Sequence, residues 1–378
     1  MYLSHSLTII GKIGYIMINK LPPLVIGDLT IKVPIIQAGM GVKISTAALA
    51  SAVAICGGAG TIASVGLASG HPDAAADYVG TSNETFRKEI RQAHQETKEV
   101  VGVNIMVALN NYEEMVRTAV AENVDFIISG AGLPLSLPGY TKGSSVKLIP
   151  VVSSARSTEV ILRAWKRRYK RLPDAIVVEG PMAGGHLGFS AEELINNTAD
   201  SLEKIVTEVL AMIEKYRDED SPEIPVIAAG GIFDGKDIAR FLKLGAKGVQ
   251  IGTRFVTTKE CPVPDTLKEL YIAATKEDII IIKSPVGMPG RALRTKFIDR
   301  IMNDERIPFQ CDYQCLRSCD VKTTPYCIAK AMCNATVGDI DNAVVFAGEN
   351  VVKIKEVVTV KELMDELIKE TIEELNKA

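Results

Sequence analysis

The chain of 378 residues has no apolar run that approaches the roughly 20 residues needed to cross a bilayer, so a membrane-spanning protein is not expected. It also has no excess of positive charge, because 43 Lys and Arg residues stand against 46 Asp and Glu residues. This balance excludes a nucleic-acid binder that acts through bulk positive charge. Aromatic residues make up only 5% of the chain, but hydrophobic residues make up 47%, which excludes disorder for most of the chain and suits an α/β enzyme.

A disulfide-linked secreted fold is not expected either, since the chain is long and its seven cysteines are an odd number. Residues 1–16 are apolar but lack a basic n-region and a clear cleavage site, which argues against a signal peptide. We therefore expect a cytoplasmic protein. Residues 1–20 are interpreted as an N-terminal extension that need not be structured and has no assigned function.

Short apolar segments rich in β-branched residues alternate with helical patterns. They predict eight strands, at 33–37, 60–63, 100–105, 125–129, 147–152, 175–179, 225–229 and 248–251. Ser45 is predicted as the N-cap of the first intervening helix. Parallel βαβ units in this number favour an α/β fold closed as a (β/α)8 TIM barrel over an open sheet. We assign the barrel to residues 21–300, and to residues 301–378 a helical, cysteine-containing C-terminal extension that packs on it.

Glycine-rich motifs follow the last three predicted strands: EGPMAGGHLG at 179–188, AAGGI at 228–232 and QIGTRF at 250–255. The carboxyl ends of barrel strands form the active-site face, and the loops after strands seven and eight often bind phosphate. The two later motifs, with a helix that begins near Asp234, supply backbone N–H donors for a phosphate. His186 lies on the first motif, where it can act as a base, an acid or a hydrogen-bond donor. Alternatively, these are ordinary glycine turns and His186 is an incidental surface residue.

Small and amide residues follow two of the earlier strands, as QAGMG at 37–41 and as Asn104 in VGVNIM. An asparagine in that place can hydrogen-bond a flat heterocycle or cap the next helix. Together with the glycine-rich motifs, these segments resemble the nitronate monooxygenase (2-nitropropane dioxygenase) family of FMN barrels. The related flavin-dependent enoyl-ACP reductase II shares the same motifs. The resemblance extends over residues 21–297 and, more weakly, over the C-terminal end.

The resemblance implies an FMN site in which each motif has a role. Gly39 and Met40 would lie along the flavin ring through their backbone, and Asn104 and Glu179 would contact the ring or the ribityl chain. His186 would be the catalytic residue that faces the reactive edge of the ring and touches the substrate. The FMN phosphate would be held, near Gln250, by small residues at the ends of the last three strands: Gly184, Gly185, Gly230, Gly231, Gly252 and Thr253.

The resemblance does not separate two activities. A nitronate monooxygenase would oxidise alkyl nitronates or nitroalkanes with O₂, and His186 would position the nitronate or remove the α-proton of a neutral nitroalkane. An enoyl-ACP reductase II would use NAD(P)H, and His186 would orient the thioester carbonyl; the redox chemistry belongs to the cofactor in both cases. We expect the first activity, with a small-molecule substrate and with no nucleic acid or membrane as partner. A flavin-binding module without turnover is the alternative of another class, and a homo-oligomer is compatible with the sequence.

Five of the seven cysteines fall between Cys311 and Cys333, which departs from what either family predicts. On a helix, the four-residue spacing of Cys311, Cys315 and Cys319 would put three thiols on one face, where zinc or an iron–sulfur cluster could bind. The cluster contains no CxxC pair and no histidine lies nearby. We therefore expect no metal, and small thiols that pack a helix against the barrel.

Overall fold

Eight parallel strands form the centre of the computed structural model, which describes residues 19–218, 222–311 and 313–377. The extension predicted at 1–20 lies outside the described residues except for its last two positions. All strands of the described chain are numbered in chain order, and those of the central sheet are β3 (Ile35–Gln37), β4 (Gly60–Ala63), β5 (Val101–Met106), β6 (Phe126–Gly130), β7 (Lys147–Val152), β8 (Ile176–Glu179), β10 (Val226–Ala229) and β11 (Gly248–Ile251).

The central sheet closes on itself. Its strand order is β3-β11-β10-β8-β7-β6-β5-β4, and all neighbours are parallel. The two ends meet at Ala59, whose carbonyl accepts the Gln37 N–H over 2.9 Å and whose N–H donates to Ile35 O over 2.9 Å. The predicted (β/α)8 barrel is therefore confirmed, and each strand begins and ends within about two residues of its predicted bounds.

Helices cover the outside of the barrel, because each buries an apolar stripe against the sheet. No helix of the described chain is both long and apolar enough to cross a membrane. The helices up to residue 273 are α1 (Ala47–Ile55), α2 (Tyr78–Glu96), α3 (Tyr112–Ala121), α4 (Leu137–Tyr140), α5 (Ala155–Tyr169), α6 (Ala191–Ile195), α7 (Leu202–Glu214), α8 (Gly235–Leu244), α9 (Thr253–Val256) and α10 (Asp265–Ala273).

A second apolar core fills the inside of the barrel. A short antiparallel hairpin of β1 (Leu24–Ile26) and β2 (Leu29–Ile31) contributes to it. The hairpin side chains pack against inward-facing residues of the barrel strands, which alternate with outward-facing ones. This core leaves only the opposite, carboxyl end of the barrel open to a ligand. Its fully buried members include Leu24, Ile26, Ile31, Ile36, Phe126, Ile128, Ile149, Val177 and Ile227.

A small antiparallel sheet lies at the carboxyl end of the barrel, and its strands are not among the eight predicted from the sequence. Strand β13 (Pro289–Leu293) is its centre and pairs with β9 (Gly185–His186), β12 (Ile279–Lys283) and β14 (Val345–Phe346). The run of isoleucines in β12 is typical of a strand, since β-branched side chains favour extended backbone.

The C-terminal region is helical in part. Its helices are α11 (Lys296–Met302), α12 (Ile328–Thr336) and α13 (Val360–Leu375). Helix α13 packs against α8 and α1, and the Glu370 carboxylate accepts the Gly235 N–H over 2.9 Å. The end of the described chain is therefore fastened to the outside of the barrel.

The helix predicted through the cysteine cluster is wrong. Residues 304–311 and 313–327 contain no helix. Instead, the Asn110 N–H donates to Cys315 O over 3.1 Å and the Arg317 N–H donates to Ala108 O over 3.0 Å. These two groups bond to the loop after β5, and the local backbone bonds at 316–324 form only isolated turns.

The cap predicted for α1 is also wrong. Thr46 is the N-cap residue, and the Ala47 N–H donates to the Glu89 carboxylate over 2.7 Å. The hydroxyl of Ser45 turns away from the helix, accepts the Met40 N–H over 2.9 Å and donates to Ala38 O over 2.9 Å. Ser45 therefore orders the loop after β3 instead of the helix.

Candidate active site

A cavity of about 270 Å³ lies at the carboxyl end of the barrel, between the strand ends and the small antiparallel sheet. All twelve residues predicted for the site line this one cavity. They come from five barrel strands and the loops that follow them, which bring together positions far apart in the sequence. The residues are Gly39, Met40, Asn104, Glu179, Gly184, Gly185, His186, Gly230, Gly231, Gln250, Gly252 and Thr253.

The small sheet fixes the orientation of His186. The residue pairs with Gly290 of β13, and its Nε2 lies 2.7 Å from Ser284 Oγ. Its ring packs edge-on against Phe346, with 4.9 Å between the ring centroids. Burial lowers the pKa of His186 to about 4, so the imidazole is neutral near pH 7. Since Nε2 is engaged by Ser284, Nδ1 is the nitrogen left to bond a ligand.

A buried arginine holds the loop that precedes His186. The Arg291 guanidinium donates to Ala183 O over 2.9 Å and also to Pro181 O. It lies 3.4 Å from the Glu349 carboxylate, which offsets its charge. The guanidinium therefore gives the turn after β8 one conformation, because it satisfies two backbone carbonyls that would otherwise lack donors.

Backbone and hydroxyl donors meet where β10 and β11 end. Gly230 and Gly231 have φ values of +88° and +94°, a left-handed backbone that glycine adopts without strain. The N–H groups of Gly231 and Gly252 have no acceptor among the described residues. The Gly348 N–H donates to Thr253 Oγ1 over 2.9 Å, which leaves the hydroxyl proton of Thr253 for a ligand. Uncharged donors on two neighbouring strands suit a phosphate group.

The predicted contribution of helix α8 to this phosphate site is wrong. Asp234 caps the helix by accepting the Asp237 N–H over 3.0 Å. The Phe233 N–H donates to the Asp237 carboxylate over 2.9 Å, and Glu370 accepts the Gly235 N–H. These carboxylates accept three N–H groups at the start of the helix and place negative charge at the positive end of its dipole, so a phosphate gains little there.

Three polar side chains face the cavity without a partner. Gln250 is 8% exposed, and its Oε1 has no hydrogen bond within the described chain. Asn104 lines the same space from the end of β5, and Glu179 from the end of β8. Burial alone raises the pKa of Glu179 to about 7, since no cation lies close enough to lower it. Buried polar atoms of this kind require a ligand with hydroxyl or amide groups.

Replacing Glu179 with Gln is expected to stabilise the flavin-free protein at high pH. The pKa of Glu179 is higher in the folded than in the unfolded protein. Its contribution to the free energy of unfolding is therefore complete below the ordinary carboxyl pKa, where the side chain is neutral in both states. That contribution is lost as the pH rises through about 7 and the buried carboxyl ionises. In thermal unfolding, the Tm of the variant should exceed the wild-type value by about 3–8 °C at pH 8 and match it at pH 5. Glu269→Gln, on the exposed surface of α10, is the control. A Tm difference that does not change with pH would contradict the expectation.

Two residues contribute in ways that the resemblance does not imply. The backbone N–H and C=O of Met40 are both bonded to Ser45, so only van der Waals surface remains for a ligand. Gly184 lies against the chain at Ala347, where an added Cβ would come within 2.5 Å of the carbonyl carbon. Its lack of a side chain therefore serves packing as well as any ligand.

Sequence reasoning missed the residues that support the site from the distal part of the chain. Ser284 and Arg291 orient the loop of His186. The Asn350 side chain donates to Gly231 O over 2.6 Å, and Phe346 covers the imidazole. These residues lie far along the chain from the residues they contact, and no local sequence motif marks them. The small sheet and the segment that follows β14 bring them to the site.

Comparisons with known proteins agree with this arrangement. A family model described as nitronate monooxygenase matches residues 23–370. A 5-hydroxy-7a-methyl-1-oxo-octahydro-1H-indene-4-carboxyl-CoA dehydrogenase of Mycobacterium tuberculosis is 30% identical over 273 residues, which are 72% of this chain and 66% of that protein. The chain therefore spans slightly less than two thirds of this relative's length.

Two further similarities cover more of the matching protein. A Staphylococcus aureus protein described as a probable nitronate monooxygenase is 28% identical over 313 residues, which are 73% of this chain and 79% of that protein. The structure of FabK from Thermotoga maritima superposes with a TM-score of 0.70 at 29% identity, over 91% of this chain and 94% of that chain. The family model covers most of this chain, so the protein belongs to the nitronate monooxygenase family of flavin-dependent oxidoreductases.

Proposed function

We propose that this protein is an FMN-dependent oxidoreductase that acts on an α,β-unsaturated acyl thioester. The observation that carries this proposal is a neutral, desolvated imidazole in a cavity without a free cation. Arg254 is the only Lys or Arg among the described residues that line the cavity, and its guanidinium pairs with Glu366 over 3.0 Å. An uncharged thioester carbonyl can enter such a site, whereas a substrate that is already anionic loses hydration without gaining a partner.

The residues fit FMN as the cofactor. The donors at Gly231, Gly252 and Thr253 would hold its phosphate, and the unpartnered groups of Asn104, Glu179 and Gln250 would meet its polar ring edge and ribityl hydroxyls. FMN supplies the hydride chemistry when bound. The protein contributes orientation and exclusion of water, since the loops around the cavity are fixed by backbone hydrogen bonds and apolar side chains.

His186 has a defined task in this proposal. Its Nδ1 would donate a hydrogen bond to the thioester oxygen, on which negative charge develops as the neighbouring carbon–carbon double bond is reduced. A preorganised donor of this kind stabilises the transition state more than the ground state. Ser284 and Phe346 keep the imidazole in place, so no reorganisation is needed during the reaction.

Oxidation of alkyl nitronates with O₂ is the second candidate. It is supported by the match to the nitronate monooxygenase model and by the similar Staphylococcus aureus protein. In that reaction the His186 imidazole would hydrogen-bond a nitronate oxygen. With its pKa lowered to about 4, it is a poor base for the α-proton of a neutral nitroalkane. Of the two substrate forms, pre-ionised nitronate is therefore the one that needs no base at this site, although the described residues of the cavity offer no free cation to pair with its charge.

Anaerobic flavin titration tests the proposal. We expect NADH or NADPH to bleach the bound flavin and crotonyl-CoA to restore its colour with formation of butyryl-CoA. Bleaching by propyl nitronate but by neither nicotinamide nucleotide would instead support nitronate oxidation. A flavin that responds to none of these compounds would contradict both reactions and leave a binding module without turnover.

A further inference from the structure

The active-site cavity has an apolar side that the proposed chemistry does not use. It is formed by six residues, none of which lies on a barrel strand, and we term them the apolar compartment. They are Leu109, Val286, Leu316, Ile328, Met332 and Val344. All six pack in one cluster of apolar side chains, whereas Ile232 and Ile251, beside the phosphate donors, pack in the cluster that covers the barrel. The compartment is therefore separate from the proposed phosphate site.

The apolar compartment begins beside His186. Phe346 packs against the same cluster and lies edge-on to the imidazole, with 4.9 Å between the ring centroids. The Val286 N–H donates to Ser284 Oγ over 3.3 Å, and that oxygen lies 2.7 Å from His186 Nε2. A substrate whose carbonyl oxygen bonds to the imidazole therefore has this hydrocarbon surface next to its carbon chain.

Helix α12 limits the room in the apolar compartment. Ile328, Ala329 and Met332 line the cavity from its first two turns, and the spacing of four residues puts Ile328 and Met332 on one face. Ala329 lies between them, is half-buried and presents only a methyl group. A larger side chain at this position would therefore take up space in the compartment.

A hydrocarbon chain is the ligand that suits this surface. None of the six side chains donates a hydrogen bond, so a polar group or an ordered water molecule there would lack partners. An alkyl chain, in contrast, gains about fourfold in affinity for each CH₂ group that it moves out of water. The crotonyl group has a single carbon beyond its double bond and would leave most of the compartment unfilled.

We propose that the apolar compartment binds the acyl chain of the substrate, and that the protein therefore acts on enoyl thioesters with chains longer than crotonyl. This inference rests on the proposed function, because the thioester carbonyl is what holds the chain beside His186. It assigns the selection of chain length to the distal part of the protein, and above all to Ala329 and Met332 of α12. These two residues act through affinity for the chain and take no part in the reduction itself.

Binding of saturated acyl-CoA to the FMN-loaded protein tests the proposal without turnover. Isothermal titration calorimetry with butyryl-CoA and with octanoyl-CoA gives the ratio of the two Kd values. We expect octanoyl-CoA to bind about 10²-fold more tightly, because its chain is four CH₂ groups longer and each contributes about fourfold. Equal Kd values for the two compounds, or no binding of octanoyl-CoA, would overturn the proposal.

Two variants of α12 locate the chain. Ala329→Phe fills the compartment and should reduce the ratio of Kd values to less than about fivefold. Met332→Ala enlarges it and should raise the affinity for decanoyl-CoA relative to octanoyl-CoA. Val337→Phe is the matched control, since Val337 is 76% exposed at the end of the same helix and does not line the cavity, so the wild-type ratio should remain.

FMN content and the thermal unfolding temperature show whether each variant is folded. A wild-type ratio in folded Ala329→Phe would place the chain elsewhere and overturn the proposal. If that variant does not fold, an unchanged preference between octanoyl-CoA and decanoyl-CoA in Met332→Ala overturns it instead.

The acyl-chain site and the proposed reaction fail in different ways. Tight binding of octanoyl-CoA without reduction of crotonyl-CoA or trans-2-octenoyl-CoA would contradict the reductase and support the compartment as a site for the chain. Reduction of crotonyl-CoA together with equal Kd values for butyryl-CoA and octanoyl-CoA would support the reductase and overturn the compartment.

Discussion

Replacing His186 with alanine is expected to leave FMN bound and to lower kcat/KM for an enoyl thioester by roughly 10²–10³-fold, the usual cost of losing one preorganised donor to a developing oxyanion. The imidazole lies on β9 and outside the group of phosphate donors, so flavin content should not change. Steady-state kinetics with crotonyl-CoA, together with the flavin-to-protein ratio, measure both parts of the expectation. Loss of flavin in the variant would instead indicate a role in cofactor binding.

His186→Asn separates hydrogen bonding from proton transfer. Asparagine keeps a neutral donor close to the position of Nδ1 but cannot act as a base. If His186 acts as a donor, the Asn variant should regain part of the rate lost in the Ala variant. Wild-type rates in His186→Ala would remove the residue from the mechanism, and equal losses in both variants would favour proton transfer.

The pH dependence gives an independent check. Because burial lowers the His186 pKa to about 4, the imidazole stays neutral from pH 5.5 to 8. The ratio of wild-type to His186→Ala rates should therefore be constant over that range, whereas an ordinary histidine would change the ratio near pH 6.5. Ser284→Ala, which removes the partner of Nε2, should cost about tenfold, as expected for one hydrogen bond that positions the ring.

The barrel was predictable because its signal is local and repeated. Each strand buried on both faces is a short apolar run in the sequence. Gly185, after β8, and Gly230 and Gly231, after β10, have a positive φ that few other residues adopt. Since the carboxyl ends of parallel strands meet on one face, these motifs were expected to converge. The predicted residues, from five strands and the loops that follow them, do line one cavity.

The supporting residues could not be predicted, because their roles depend on tertiary pairing. Ser284 is 98 positions from His186 in sequence and reaches it only through the small sheet. The expected anion site at α8 depended on free N–H groups, but the C-terminal helix supplies Glu370 to one of them. Cys315 and Cys319 have helical spacing, yet Cys315 O and the Arg317 N–H bond to the loop after β5. In each case a distant segment forms the hydrogen bonds of groups whose partners cannot be inferred from the local sequence.

Gly231→Asp is expected to abolish stoichiometric FMN binding. The backbone at Gly231 has a φ of +94°, and any added Cβ would lie 3.0 Å from Met182 Cβ. An aspartate there adds steric strain and a carboxylate beside the proposed phosphate site. An unpaired buried charge costs several kcal/mol, which corresponds to a Kd for FMN at least about 10²-fold higher than in the wild type. Fluorescence titration of the flavin-free protein with FMN measures this change.

Two further variants separate charge from backbone strain. Gly231→Ala adds the same Cβ without the carboxylate and should weaken FMN binding much less, because it places no negative charge beside the phosphate. Gly143→Asp is the matched control, since Gly143 has a φ of +85° on the exposed surface with nothing within 4 Å of an added Cβ. It should lower the unfolding temperature without altering the Kd for FMN. If Gly231→Asp retains full flavin, the phosphate lies elsewhere and the donors of β10 and β11 hold a different group. If the Ala and Asp variants lose flavin equally, backbone strain and not charge repulsion governs the site.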